Sequence, residues 1–194
     1  MEKKQRQILH IDVNNAFLSW TAIDRLEQGE KVDIREIEAV IGGDESKRSG
    51  IVLAKSMKAK AKGVRTAETL YQARLKCPNL QVFKGDYKSY RKHSNDLYNL
   101  LSQYTDKIER FSIDECFLDM TDYLGNAKLI DKAYEISRRV KKELGFTVNV
   151  GVAHNKLLAK MASDFTKSDK VHTLYEEEIP TKMWPLPVSE LFML

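Results

Sequence analysis

Three features that would place a chain in a special class are missing or nearly missing from this sequence. No apolar run approaches the roughly 20 residues that a membrane-spanning helix needs, which argues against a membrane protein. Only 2 of the 194 residues are cysteines, Cys77 and Cys116, and their spacing suits neither a disulfide framework nor a metal-ligand pair. The opening MEKKQRQ is charged, and no signal-peptide pattern follows it. No internal repeat is visible, and we expect a globular protein. The cysteine usage makes the reducing cytoplasm the simplest expectation.

Charge of one sign is concentrated in one part of the chain. The overall composition, 42% hydrophobic and 31% charged with a net charge of +4, is that of an ordinary globular protein. Between Lys47 and Ala67, however, there are basic residues and no acidic ones. The basic residues are Lys47, Arg48, Lys55, Lys58, Lys60, Lys62 and Arg65. This block is either a solvated face or a surface that binds the phosphates of a nucleotide or nucleic acid.

The apolar periodicity predicts an alternation of strands and helices. ILHID is a short buried strand that ends at Asp12, and NNAFLSWTAIDRLEQG is a helix that stops near Gly29. A helix over residues 86–104, two strands around KIERF and CFLDM, a helix over 126–144 and the strand FTVNVGVA follow. If residues 30–80 are set aside as an insertion, the order is βαββαβ. This order predicts an α+β fold with the helices of the βαββαβ unit on one face of an antiparallel sheet.

Two acidic residues stand side by side in the stretch FSIDECFLD, which otherwise has the pattern of a buried strand. Asp114 and Glu115 would repel each other by roughly 1 kcal/mol in water and about 4 kcal/mol at an effective dielectric constant near 20. No Arg or Lys lies within the stretch, so a bound cation is the attractive explanation. Oxygen ligands favour Mg²⁺ or Mn²⁺, and Asp12, on the neighbouring strand, is the natural third ligand. Three such acids around two Mg²⁺ ions predict phosphoryl or nucleotidyl transfer.

One geometric condition must hold for this interpretation. On a regular strand Asp114 and Glu115 would point to opposite faces of the sheet. They converge on one site only if the backbone bends there, as at the start of a hairpin. The alternative is that one of the two is a solvated turn acid.

Four stretches together resemble the Y-family DNA polymerases, the bacterial DinB/UmuC-like translesion enzymes. They are HIDVNNAF, GIVLAKSMKAKAKGVRT, FSIDECFLD and VNVGVAHNKLLAKMASDFTK, and the resemblance covers essentially the whole chain. It implies a ferredoxin-like βαββαβ palm with a small inserted, mainly helical fingers domain. The palm would comprise residues 1–15 and 82–174, the fingers 16–81, and a linker 175–194. The thumb and little finger would be absent. The apolar end LFML has no obvious packing site in this part alone and would mark a chain cut before another domain.

The resemblance also implies an activity and a set of site residues. The activity is template-directed DNA synthesis across damage, by two-metal transfer of dNMP to a primer 3′-OH, weak or absent in this part alone. The metal ligands would be Asp12, Asp114, Glu115 and the backbone carbonyl of Val13, with two Mg²⁺ ions that Mn²⁺ can replace. The nucleotide would contact Phe17 as the steric gate against ribose, together with Asn14, Asn15, Ala16, Met57, Lys60 and Lys167. The partners would be primer-template DNA, a dNTP and, through a region beyond this chain, a sliding clamp, with no membrane.

The sequence departs from the family pattern where the triphosphate would bind. Met57 and Lys60 stand where the family commonly has a tyrosine and an arginine, and Met57 cannot donate a hydrogen bond to phosphate. Lys60 keeps the charge but loses the bidentate fork. After Lys167 the usual proline and glycine are replaced by Ser168 and Lys170. Weaker nucleotide binding, or compensation by Lys55 or Lys58, would follow.

Two other functions compete with the polymerase. The first is a nucleotidyl-cyclase-like enzyme, since nucleotidyl cyclases also use a βαββαβ catalytic sheet with two metals. IGGDES, residues 41–46, resembles the signature of diguanylate cyclases, but the central hairpin where that signature belongs is taken by SIDE. A non-enzymatic nucleic-acid-binding or regulatory protein is the second alternative. Such a protein has no use for clustered carboxylates facing phosphates, so dependence on a divalent metal distinguishes the two classes.

Overall fold

The computed structural model describes residues 4–43, 50–166 and 168–192. The helices and strands in chain order are β1 (Ile8–Val13), α1 (Ala16–Glu27), β2 (Ala39–Gly42), β3 (Val52–Lys55), α2 (Met57–Ala61), α3 (Leu70–Lys76), β4 (Gln81–Lys84), α4 (Tyr87–Leu101), β5 (Ile108–Arg110), β6 (Glu115–Asp119), α5 (Leu129–Leu144), β7 (Val148–Ala153), α6 (Lys156–Asp164), β8 (Val171–Thr173) and α7 (Ile179–Lys182). No helix in these three ranges is long and apolar enough to cross a membrane.

The chain forms two compact units. The first comprises Met1–Asn14 and Ser94–Leu194, and the second comprises Asn15–His93. Helix α4 contributes residues to both units. The sequence placed the fingers at residues 16–81, and the assignment of the units to palm and fingers stays a prediction.

The first unit is built on a five-stranded sheet with the order β5-β6-β1-β7-β8. Strands β6 and β7 both pair antiparallel with β1, and β8 is parallel to β7. This arrangement confirms the βαββαβ plan that the periodicity predicted. All residues of β1 and β7 are buried, so both faces of these central strands are covered.

Helix α6 packs closely against one face of the sheet. His10 of β1 pairs directly with Phe117 of β6 and with Gly151 of β7, so the three share a face. A Cβ added to Gly151 would lie 1.8 Å from the carbonyl oxygen of Ala159, which places the backbone of α6 directly over this glycine. Residues two positions away along the paired strands, including Asp12, therefore lie on the face that α6 covers.

The apolar end of the chain packs partly on the same helix. Leu191 and Phe192 are partly buried against the cluster that contains Leu158 and Met161. The expectation that these end residues lack a packing site is therefore wrong for Leu191 and Phe192. Residues 193–194 lie outside the described part of the chain.

The second unit contains a three-stranded sheet that the sequence analysis did not identify. Its order is β3-β2-β4, with β3 antiparallel and β4 parallel to β2. Ile41 of β2 packs with residues of α1, whereas Val40 packs with residues of α2 and α3. Strand β2 is thus buried on both faces. Gly29, the glycine predicted to stop α1, does follow that helix with a positive φ of 92°, and Gly63 follows α2 with a positive φ of 85°.

Candidate active site

The register of the first sheet brings two of the predicted acids together. Asp12, near the end of β1, pairs directly with Glu115, the first residue of β6. Asp114 precedes β6, and its backbone carbonyl accepts a hydrogen bond of 3.0 Å from the N–H of Val13. Asp12 is 6% exposed, whereas Asp114 and Glu115 are half-buried. The three acids therefore lie at one end of the paired strands β1 and β6.

A tight turn before β6 satisfies the condition that the two adjacent acids converge. The backbone N–H groups of Phe111 and Ser112 both donate to the carbonyl of Glu115, at 2.9 and 3.3 Å. The hydroxyl of Ser112 lies 2.7 Å from Oδ1 of Asp114 and 3.1 Å from Oε2 of Glu115. Because Asp114 belongs to the turn rather than to the strand, the alternation of faces does not separate it from Glu115.

Lys160 of α6 is a site residue that sequence reasoning missed. Its ammonium donates to Oε1 of Glu115 and lies 3.2 Å from Oδ2 of Asp164. Lys160 is only 7% exposed, and lysines are rarely so buried unless they are paired. A cation inside the apolar helix KLLAKMASDF was the available signal, but its partner is 45 residues away in the sequence.

Burial and carboxylates act in opposite directions on the pKa of Lys160. Burial, the largest single effect, lowers the pKa of this amine. The hydrogen bond to Glu115, and the charges of Glu115, Asp164 and Asp12, raise it, and together they outweigh burial. The pKa of Lys160 is therefore above its usual value, and the group is a cation at neutral pH.

Helix α6 is also joined to the sheet behind the acids. Oγ of Ser163 donates to the carbonyl of Lys160 at 2.8 Å and lies 2.8 Å from Nδ1 of His10. Since the single hydroxyl hydrogen is used on the carbonyl, Nδ1 of His10 is the donor of the second bond. Nε2 of His10 is then the nitrogen that faces Oε1 of Glu115, at 3.9 Å.

The donor chemistry of these residues suits a hard divalent cation. Carboxylate and carbonyl oxygens are the ligands that Mg²⁺ and Mn²⁺ prefer. Asp12, Asp114 and Glu115 supply carboxylates, and the predicted ligands include no thiolate. Within residues 4–43, 50–166 and 168–192, however, no three His, Cys, Asp or Glu side chains lie close enough, as they stand, to hold a metal ion. Rotation of the acid side chains is needed to bring three carboxylates together. The ligand set therefore stays a prediction.

The predicted steric gate belongs to an aromatic cluster in the second unit. Phe17 is half-buried and stacks on Tyr90, with ring centroids 4.8 Å apart and planes 21° apart. Thr21 donates to the carbonyl of Phe17 at 2.7 Å, so the Tyr90 hydroxyl, 2.8 Å from the same Thr21 oxygen, donates to it. Burial raises the pKa of Tyr90, which keeps this hydroxyl protonated. The ring of Phe17 is thereby held on a rigid support.

The remaining predicted nucleotide contacts fall into two groups by exposure. Met57 is 72% exposed and Lys60 is exposed, both on α2. Lys55 is half-buried and donates to Thr66 at 2.7 Å; burial, followed by the nearby charge of Lys60, lowers its pKa. Lys55 and Lys60 are thus two positive charges close together, and such a pair favours an anionic ligand.

The residues between β1 and α1 are fixed by backbone contacts. Asn14 is buried, and its N–H donates to the carbonyl of Thr147 at 2.9 Å. Asn15 has a left-handed conformation with φ of 50°, and Nδ2 of its side chain donates to the backbone carbonyl of Lys55 at 2.8 Å. Ala16 is buried as the first residue of α1. Lys167, with Lys47 and Arg48 of the basic block and residues 44–46 of IGGDES, lies outside the described residues.

Comparison with known proteins identifies the family. Residues 11–164 match the impB/mucB/samB family. The chain is 56% identical to DNA polymerase IV of Clostridium acetobutylicum over 187 residues, which are 96% of this chain and 47% of that protein. Among solved structures, it is similar to a chimeric Y-family DNA polymerase, with a TM-score of 0.85 and 26% identity over 97% of this chain and 54% of the other.

A second solved structure gives the same result. DinB from Sulfolobus solfataricus matches with a TM-score of 0.84 and 25% identity, over 97% of this chain and 54% of that protein. The chain spans about half the length of the relatives that it matches. The motifs, the sheet order and these matches agree, and the chain belongs to the impB/mucB/samB family of DinB-like, Y-family DNA polymerases.

Proposed function

We propose that this chain carries the catalytic carboxylates of a template-directed DNA polymerase of the translesion type. Such an enzyme transfers dNMP from a dNTP to the 3′-OH of a primer paired with template DNA. The observation that supports this most strongly is the direct pairing of Asp12 with Glu115, with Asp114 in the adjoining turn, in a chain that belongs to a polymerase family.

Asp12, Asp114, Glu115 and the backbone carbonyl of Val13 would hold two Mg²⁺ ions, for which Mn²⁺ can substitute. When bound, these ions lower the pKa of the attacking hydroxyl and stabilise charge on the triphosphate. The protein's own contribution is positioning. The turn at Ser112 orients two carboxylates toward each other, and the pairing of β1 with β6 fixes the third opposite them.

Phe17 would select the sugar. A ring held by stacking on Tyr90 cannot yield to a ribose 2′-OH, so the deoxynucleotide is preferred. Lys55 and Lys60 would bind phosphate as point charges, and Met57 would add only apolar contact. The nucleotide would also contact Asn14, Asn15 and Ala16. Lys167 stays a predicted phosphate ligand. A sliding clamp and a cytoplasmic location stay predictions from the family.

The first test measures nucleotide and metal binding by this chain. Isothermal titration with each of the four dNTPs and with GTP, with and without Mn²⁺, should show metal-dependent binding of all four dNTPs. Asp114→Asn, which keeps the size of the side chain and removes its charge, should abolish the metal dependence. Binding of GTP alone would support the cyclase instead. A nucleotide affinity that changes neither with Mn²⁺ nor in Asp114→Asn would refute the proposed site.

A second test separates sugar selection from general damage to the unit. We expect Phe17→Ala to reduce the preference for dATP over ATP at least tenfold, since the barrier to the 2′-OH is removed. Tyr71→Ala is the matched control, because Tyr71 is an aromatic residue of the same unit with a 73% exposed side chain. Unchanged sugar preference in a folded Phe17→Ala protein would remove Phe17 from the assignment.

DNA binding is tested by fluorescence anisotropy with a labelled primer-template. Because phosphate contacts release counterions, the Kd should rise steeply between low and physiological salt. We expect weak binding at physiological salt, and a tight, salt-insensitive complex would contradict a surface made of exposed lysines.

A further inference from the structure

The two carboxylate oxygens of Glu115 contact different neighbours. Oε1 accepts from the ammonium of Lys160, and Oε2 lies 3.1 Å from the hydroxyl of Ser112. The same hydroxyl lies 2.7 Å from Oδ1 of Asp114. A cation placed among the predicted ligands can therefore approach Glu115 through Oε2, on the side of Asp114, while Oε1 remains with the amine.

Lys160 is built into the fold rather than left as a mobile surface group. It is 7% exposed, and its amine is placed between Glu115 and Asp164, the latter one turn further along α6. The ring of Phe192 lies 5.9 Å from the amine. Helix α6 cannot move away easily, because its backbone rests on Gly151. The positive charge thus has a fixed place beside the carboxylates.

We propose that Lys160 sets the divalent-metal affinity of the carboxylate site, by holding one oxygen of Glu115 and by placing a positive charge beside the metal ligands. Lys160 is a positioning residue in this role, since it acts through Glu115. The inference depends on the proposed function, because it needs the carboxylates to bind a metal. A charge at this distance weakens the binding of a second cation, and an occupied Oε1 prevents bidentate coordination by Glu115.

The experiment compares Mn²⁺ affinity in the wild type, three lysine variants and Asp12→Asn, all as the whole chain, by electron paramagnetic resonance of free Mn²⁺. Lys160→Met removes the charge and keeps an unbranched side chain of similar length, so Mn²⁺ should bind about tenfold more tightly. Lys160→Arg retains the charge and should stay near the wild-type affinity. Lys156→Met is the matched control, because Lys156 stands one turn earlier on α6, has a side chain that is 44% exposed, and is paired with Glu109. It changes the net charge equally and should leave the affinity unchanged.

Thermal unfolding supplies a second readout that a packing defect would not produce. Ligands that bind only the folded state raise the melting temperature according to their affinity. Mn²⁺ should therefore raise the Tm of Lys160→Met by more than that of the wild type. A Lys160→Met protein that binds Mn²⁺ as weakly as the wild type, or more weakly, overturns the inference.

The outcomes distinguish this inference from the proposed function. If the wild type binds Mn²⁺ and Asp12→Asn abolishes binding, the carboxylate site is supported, and the Lys160 variants then decide the inference alone. If neither the wild type nor Lys160→Met binds Mn²⁺, the metal site itself is wrong, and both fail. An equal gain in Lys156→Met and Lys160→Met would assign the effect to net charge and overturn the role of Lys160.

Discussion

Replacement of Gly151 by alanine tests the close packing on which the site depends. Gly151 lies in the middle of β7, where it pairs with His10 of β1. The added Cβ would stand 1.8 Å from the carbonyl oxygen of Ala159 and 2.7 Å from the backbone nitrogen of Ser163. Ordinary contacts of a Cβ are about 3.4 Å or longer. Helix α6 must therefore move away from the sheet by more than an ångström.

The magnitude follows from what obstructs the new methyl group. Overpacking of a core typically costs 1–3 kcal/mol, and side chains that can rotate lie at the low end. Here the obstacle is helix backbone, which can only move as a body, so we expect the free energy of unfolding to fall by about 3 kcal/mol. That is a large part of the roughly 5–15 kcal/mol available to a domain. A displaced α6 would also loosen the contact between Lys160 and Glu115.

Urea denaturation followed by circular dichroism gives the free energy of unfolding. The matched control is Gly125→Ala in the same unit, where a Cβ meets nothing within 4 Å and only the positive φ of 55° opposes the substitution. That strain should cost about 1 kcal/mol. If Gly151→Ala loses no more stability than Gly125→Ala, then α6 does not rest on β7 as described.

Two further substitutions, each with a control substitution, test the backbone strain at Ala67 and the buried hydrogen bond of His10. Ala67 has a positive φ of 67°, so Ala67→Gly should raise the free energy of unfolding by about 0.5 kcal/mol. The control, Ala61→Gly at the exposed end of α2, should lower it by about as much. Changes of the same sign in urea denaturation would contradict the positive φ at Ala67. Ser163→Ala leaves the ring N–H of His10 without its acceptor and should cost about 2 kcal/mol. Ser137→Ala on α5, at a serine that is 8% exposed, should cost under about 0.5 kcal/mol, and a Ser163→Ala loss as small as this would show that the His10 contact contributes nothing.

The sequence predicted the long helices and the central strands because their periodicity is strong. Helices α4 and α5 were placed within about three residues of their observed ends. In β7, valines alternate with Asn149 and Gly151, which is the pattern of a strand. The three-stranded sheet of the second unit was missed for a physical reason. AVIG, VLAK and QVFK are runs of 4 residues, too short for a period to distinguish strand from helix, and their partners are distant in sequence.

The candidate site was predictable only as far as its acids. Neighbours in sequence showed Asp114 beside Glu115, and the strand order suggested Asp12. No local pattern could show that a lysine 45 residues later returns over the sheet to Glu115, since that contact depends on the packing of α6 against Gly151. The absence of a basic residue from FSIDECFLD was therefore a weak argument for a metal, because the nearest cation comes from another element.

The juxtaposed acids make physical sense once the tertiary contacts are included. Two like charges in a half-buried segment repel each other by about 4 kcal/mol at an effective dielectric constant near 20 unless something compensates them. The hydroxyl of Ser112 and the ammonium of Lys160 supply part of that compensation to Asp114 and Glu115. Asp12 adds a third carboxylate from the paired strand, and a single ammonium cannot neutralise all three. The arrangement is therefore compensated enough to fold and still keeps negative charge, as the proposed binding of a divalent cation requires.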